Sequence, residues 1–175
     1  MAIVGLFYGS DTGNTENIAK MIQKQLGDNL VDIRDIAKSS KEDIEGYDFL
    51  MLGIPTWYYG EAQCDWDDFF PTLEQIDFTD KLVAIFGCGD QEDYADYFCD
   101  AMGTIRDIVE QRGAIVVGHW PTEGYHFESS RALIDDHTFV GLCIDEDRQP
   151  ELTSQRVQAW TKQVYDEMCL AELEG

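Results

Sequence analysis

Three apolar runs limit how this chain can fold. Residues 3–8, 49–54 and 82–86 carry apolar side chains or glycine almost without interruption, and polar residues do not alternate with them. A strand wetted on one face alternates, whereas a strand covered on both faces does not. These runs therefore predict central strands of a parallel sheet. Parallel strands need long crossovers, and helical spacing fills the gaps between the runs. Residues 17–26 are amphipathic, and 65–73 place Trp66, Phe69, Phe70 and Leu73 on one stripe. Residues 94–111 do the same with Phe98, Met102, Ile105 and Val109 and stop before Gly113, and 152–170 form a closing helix. Shorter strands are expected at 30–33 and 114–117, with a helical turn at 41–44. The expectation is an α/β chain: a doubly wound, five-stranded parallel sheet of order 2-1-3-4-5 between two helical layers. The 175 residues suit one domain, 1–175. Residues 119–141 break the rhythm with Trp120, Tyr125 and Phe127 among polar neighbours, and read as an ordered insertion in the last strand.

In such a sheet, ligands bind beyond the carboxyl ends of the strands, where the strand order reverses. Three loops meet there. The first, Gly9-Ser10-Asp11-Thr12-Gly13-Asn14-Thr15, runs from strand to helix and is rich in hydroxyls and small residues. Its amides and the helix dipole suit a phosphate. It holds no Lys or Arg, so a phosphate here would rest on neutral donors. The triphosphate loop needs Gly-Lys-Ser/Thr, and the dinucleotide loop needs three spaced glycines; neither is present. The plainer reading is a capped turn, with Ser10, Thr12 or Asn14 as the cap. The second loop, Pro55-Thr56-Trp57-Tyr58-Tyr59-Gly60, sets three aromatics in a row, which suits a wall for a flat ligand. The third, Gly87-Cys88-Gly89-Asp90, lets backbone approach a ligand and leads to Tyr94 and Tyr97.

Charge narrows the function. With 35 acidic and 12 basic residues, the formal charge is −23. A nucleic-acid partner is excluded on that ground, since phosphate neutralisation needs cations, and basic protein surfaces are the fitting partners. The five cysteines form no Cys-x-x-Cys pair and do not pair with the three histidines at metal-ligand spacing, so reduced thiols in a cytoplasmic protein and no metal are expected. No basic segment precedes an apolar core at the N-terminus, and no run approaches the ~18–20 residues needed to insert in a membrane.

The motifs Ser10-Asp11-Thr12-Gly13-Asn14-Thr15, Pro55-Thr56-Trp57 and Gly87-Cys88-Gly89-Asp90-Gln91 resemble those of the flavodoxin family. The likeness spans essentially the whole chain. The 119–141 segment resembles the insertion of long-chain members, with enterobacterial-type flavodoxins nearest. The resemblance implies a monomeric, non-enzymatic carrier of single electrons at low potential, using non-covalent FMN. It assigns Ser10, Thr12, Asn14 and Thr15, with Asp11 and Gly13 between them, to the phosphate. Trp57 and either Tyr94 or Tyr97 would flank the ring. Pro55, Thr56, Cys88, Gly89, Asp90 and Asp147 would complete the site, with Asp90 near the pyrimidine edge. A peptide at Tyr58–Tyr59 or Tyr59–Gly60 would turn its carbonyl to the protonated nitrogen of the semiquinone. A flavodoxin/ferredoxin NADP reductase is the implied donor; radical-enzyme activation and methionine synthase reactivation are implied acceptor reactions.

Acids near the site, among them Glu61, Asp65, Asp67, Asp68, Asp90, Asp93, Asp145, Glu146 and Asp147, would disfavour an anionic reduced flavin. At ~12 Å in water each costs about 0.3 kcal/mol, so six to ten give on the order of 100 mV. The rival reading is an FMN-dependent NAD(P)H or quinone reductase of the same fold, but the chain has no second nucleotide loop. A receiver-like regulatory domain would need clustered acids after the first strand, where this chain has hydroxyls.

Overall fold

The computed structural model describes residues 2–174, apart from the Glu174 side chain. Met1 and Gly175, the ends of the range read as one domain, lie outside the described residues. The main sheet takes β1 (Val4–Tyr8), β2 (Val31–Asp35), β3 (Phe49–Trp57) and β5 (Leu82–Cys88) in the order β2-β1-β3-β5, all parallel. Its fifth position is filled by two strands in line. Strand β6 (Ile115–Val117) pairs with Leu82–Ala84 on β5, and β10 (Leu142–Ile144) pairs with Phe86–Cys88. Between them lies a small antiparallel sheet of β7 (Trp120–Pro121), β9 (Thr138–Phe139) and β8 (Leu133–Asp135). Strand β4 (Glu61–Ala62) folds back on the end of β3.

The apolar runs are central strands because both of their faces are covered. On β3, Leu50, Leu52 and Ile54 join a cluster with Trp66 and Phe69 of α3 (Cys64–Leu73) and with Met102 and Ile105 of α4 (Asp100–Gln111). Ile44 of α2 (Lys41–Glu45) belongs to the same layer. Met51 faces the opposite way and packs with Ile18 and Ile22 of α1 (Asn14–Leu26) and Trp160 of α5 (Thr153–Glu167). On α1 the buried residues Thr15, Ile18, Ala19 and Ile22 follow the 3.6-residue period. A short α6 (Ala171–Glu174) ends the described chain.

Three helix boundaries differ from expectation. Helix α1 starts at Asn14, three residues before the expected 17, because Gly13 serves as its N-cap position. Helix α4 starts at Asp100, not at residue 94, because Cys99 adopts the left-handed conformation (φ 54°) and Ala95–Tyr97 form a 3-10 turn. Phe98 does lie in phase with the buried face of α4, yet its N–H donates to Ser129 O, and Ala95 O accepts from the Glu128 and Ser129 amides. Pairing with a distant segment has replaced the helical ladder. The closing helix ends at Glu167, short of 170, and Cys169 is again left-handed (φ 55°).

Candidate functional site

The β1–α1 loop crosses the sheet edge at close quarters. A side chain at Gly9 would meet Trp66 Cδ1 at 2.8 Å, so only glycine lets β1 pass α3 there. Ser10 Oγ accepts a hydrogen bond from the Gly13 N–H at 3.0 Å, which closes the loop on itself. Gly13 is left-handed (φ 92°) and stands at the N-cap position, with no side chain capping α1. The capped-turn reading therefore fails. The amides of the first turn, at Asn14, Thr15 and Glu16, have no partner within the helix. Thr15 is buried and its hydroxyl donates to Cys88 Sγ at 3.6 Å. Burial pushes the Cys88 thiol up to about 12, so it is a neutral packing partner.

Beside this loop lies a cleft lined by Thr12 and Asn14 of the first loop, Pro55, Thr56, Trp57 and Tyr58 of the second, and Cys88, Gly89, Asp90 and Tyr94 of the third. Glu146 and Asp147 complete the lining. Segments far apart in sequence, at 12–14, 55–58, 88–94 and 146–147, thus converge on one space. Tyr94 lines the cleft, whereas Tyr97 stacks edge-on behind Tyr59, with ring centroids 5.7 Å apart. Tyr59 is 72% exposed and also touches Tyr94. Ser10, Asp11, Gly13, Thr15, Tyr59, Gly60 and Tyr97 lie around the cleft and do not line it. Glu146, expected from sequence among the acids near the site but not among the cofactor contacts, lines the cleft itself.

Two features of the Trp57 hairpin stand out. Tyr58 is held at φ 45°, an uncommon conformation for a bulky residue, and Gly60 follows at φ 87°. The Trp57 indole N–H is buried with no hydrogen-bond partner, although such groups are normally paired. An uncapped helix start and an orphaned donor thus border the same cleft.

The acids divide into two kinds. Asp145, expected among the acids near the site, is 1% exposed and accepts from the Gln91, Asp147 and Arg148 amides and from the Gln91 side chain. It is a structural tie. Asp90 stays in the cleft wall. Burial pushes its pKa up, but the Arg148 guanidinium 3.1 Å away and the Asp93 and Glu92 amides outweigh that and hold it low. Asp147 is pushed up by burial and then by the Asp90 and Asp145 charges. Asp11 turns away, toward α3. Asp11, Cys64 and Asp65 bring ligand atoms within 4.8 Å of one another. Gln63 Nε2 already bonds both carboxylates there, at 3.1 and 2.8 Å.

A family model described as flavodoxin matches residues 6–160. A flavodoxin of Haemophilus influenzae is 83% identical over 173 residues, covering 99% of each chain. Flavodoxin 1 of Escherichia coli is 75% identical, covering 99% of this chain and 98% of the relative. Among solved structures, the flavodoxin of Fusobacterium nucleatum bound to flavin mononucleotide superposes with a TM-score of 0.89 at 35% identity, covering 95% of this chain and 99% of that one. With the three loops gathered at the reversal point of the sheet and the family match running through all of them, the chain belongs to the flavodoxin family.

Proposed function

We propose that this protein is a one-electron carrier, not an enzyme, and that it holds one FMN non-covalently in the cleft. The observation that carries the reading is the uncapped start of α1 beside a cleft walled by Trp57 and Tyr94. The donors there fit a phosphate: first-turn amides, the Thr12 hydroxyl and the Asn14 side chain, with Ser10 and Gly13 shaping the loop and the Thr15 hydroxyl engaged by Cys88 Sγ behind it. The orphaned Trp57 N–H fits a ligand that carries acceptors.

When bound, FMN supplies the redox chemistry, in two one-electron steps. The chain's own residues set where those steps fall. Trp57 and Tyr94 exclude water from the ring faces. Asp90, Glu146 and Asp147 put negative charge at one edge and so oppose the anionic reduced form. The hairpin after Trp57 offers a backbone carbonyl at Tyr58 or Tyr59 as a hydrogen-bond acceptor for a ring N–H, and Gly60 tolerates the turning of that peptide.

Partners follow from the surface. Tyr58 and Tyr59 are exposed at the cleft mouth, and Glu61, Asp67, Asp68, Asp93 and Asp96 are exposed on the elements that border it. That combination suits a basic partner surface with an apolar centre. The flavodoxin/ferredoxin NADP reductase is the donor that fits the reading, and low-potential acceptors such as radical-enzyme activation and methionine synthase reactivation are the matching consumers. A monomer in the cytoplasm is part of the same proposal, supported by five free cysteines. No helix among the described residues is long and apolar enough to cross a membrane.

One anaerobic reductive titration followed by visible absorbance tests the core of this reading. Two resolved one-electron steps on acid-extractable FMN are expected. A colourless protein that does not quench added FMN refutes it, and steady NAD(P)H oxidation by the pure protein would move it to the reductase class.

A further inference from the structure

Behind the Asp90 wall lies a polar network that no ligand contact explains. Gln91 is 4% exposed and Arg156 8% exposed, and Asp145 is more deeply buried than either. The Gln91 main-chain N–H and its side-chain Nε2 both donate to Asp145 Oδ2, at 2.9 and 3.0 Å. Nε2 also donates to Gln149 Oε1 at 2.8 Å, and Gln91 Oε1 accepts from the His126 N–H at 2.6 Å. The amide orientation is thereby settled: Oε1 faces a backbone donor, and Nε2 faces a carboxylate and a carbonyl oxygen. Asp145 Oδ1 accepts from the Asp147 and Arg148 amides and so shapes the turn that carries Asp147. Arg148 returns across the gap to Asp90.

The insertion supplies the far side of the network. Gln149 Nε2 and Arg156 Nη2 both donate to Gly124 O, and Arg156 Nη1 donates to Gln149 Oε1. The Arg156 guanidinium lies 4.0 Å over the Tyr125 ring, whose hydroxyl donates to Cys143 O on β10. Four segments distant in sequence, at 89–91, 124–126, 145–149 and 156, are locked together, most of the bonds using Gln91, Asp145 or Arg156 as a buried partner. Two of them carry cleft residues: Gly89 and Asp90 in the first, Glu146 and Asp147 in the third.

We propose that Gln91 is a positioning residue that fixes the spacing of the Asp90 and Asp147 walls of the cleft, and that the insertion acts through His126 and Gly124 as its buttress. The proposal rests on the reading that the cleft holds FMN. It gives the insertion a role in setting cofactor affinity and potential from outside the cofactor's contact surface. A buried network of this kind is valuable only when every member is satisfied, so one wrong group should propagate.

Gln91→Glu keeps shape but replaces Nε2 with an acceptor facing Asp145 and Gln149 Oε1. The expected result is an FMN dissociation constant raised at least tenfold, with the two one-electron potentials displaced unequally. Adding Asp145→Asn removes the like-charge contact and should recover threefold or more of the lost affinity. If Gln91→Glu fails to fold, Gln91→Met removes the same bonds without adding charge, and should weaken FMN three- to tenfold. A role confined to stability would lower the urea midpoint of the apoprotein while leaving the dissociation constant and both potentials within twofold and 10% of the tenfold equivalent (~59 mV per electron); that result overturns the proposal. The parent protein and Trp57→Ala are titrated alongside. If the parent binds FMN and Trp57→Ala weakens it while the Gln91 variants do not, positioning fails and the FMN reading stands. If the parent does not bind FMN, both fail.

Discussion

Two regions of the molecule treat their polar groups in opposite ways. From the start of α2 to the first residues of β3 and β5, the chain satisfies itself. Ser40 and Asp43 form a reciprocal capping box at the start of α2. The buried Lys81 ammonium donates to Glu45 O and Tyr47 O and pairs with Asp48. At the end where the strands finish, α1 starts uncapped on Gly13, Tyr58 is held left-handed and the Trp57 N–H has no partner. Unsatisfied groups are not confined to the cleft, since Thr161 Oγ1 on α5 is also buried without a partner, but an uncapped helix start and an orphaned indole donor meet there, where a ligand can complete them.

The largest effect should come from removing the ligand group that the α1 terminus awaits. Hydrogen bonds to a charged group are worth about 1.5–3 kcal/mol each. FMN should therefore bind on the order of a thousandfold more tightly than riboflavin in paired fluorescence titrations. Affinities within tenfold would mean that the α1 amides do not meet the phosphate.

Next comes the wall. Trp57→Ala should weaken FMN by ~1–3 kcal/mol, by analogy with base stacking on aromatics, and make the second one-electron reduction easier. Its effect on the urea midpoint of the apoprotein should be small. The matching variant at the other end, Lys81→Met, strands two backbone carbonyls. It should destabilise the fold by ~1–3 kcal/mol and leave FMN affinity within twofold. If the two variants exchanged signatures, the division between ends would collapse.

Smaller still is the cap. Ser40→Ala should cost about 1 kcal/mol of stability, read by urea denaturation, again without touching FMN. The subtlest comparison is electrostatic. Asp65→Asn with Asp68→Asn, on α3 beside the cleft end, should slow electron exchange with a basic reductase a few-fold at low salt, and the deficit should fade as salt is added. Asp28→Asn with Glu45→Gln, at the other end, should change the rate much less. Equal effects from the two pairs would show that total charge and not its placement governs association.

Much of this was legible from residues alone, and the failures are as informative as the successes. The strands were readable because burial on both faces leaves an unbroken apolar run, as at Leu50, Met51 and Leu52. The buried stripe of α1 was readable because Ile18, Ala19 and Ile22 repeat with the helical period. The start of α4 was misread because Phe98 is apolar and in phase, while its backbone bonds a residue thirty-one positions later. Asp145 was read as one more acid near the site because neighbouring acids look alike in sequence. Only its surroundings, with Gln91 and three main-chain amides around it, make it a buried tie. The choice between capped turn and free helix start could not be made from hydroxyl-rich composition; it turned on Ser10 bonding the Gly13 amide.

By itself, then, the amino-acid order determined the layered α/β plan and the three loops that meet at its edge, because periodicity and loop chemistry are local properties of the chain. Tertiary structure alone decided that Tyr94 rather than Tyr97 lines the cleft, that Glu146 joins it, and that the insertion is tied to it through Gln91. Those outcomes depend on contacts between segments tens of residues apart, and the energy of a hydrogen bond or a packed ring is set by the distance and burial that folding creates, not by the identity of the residue.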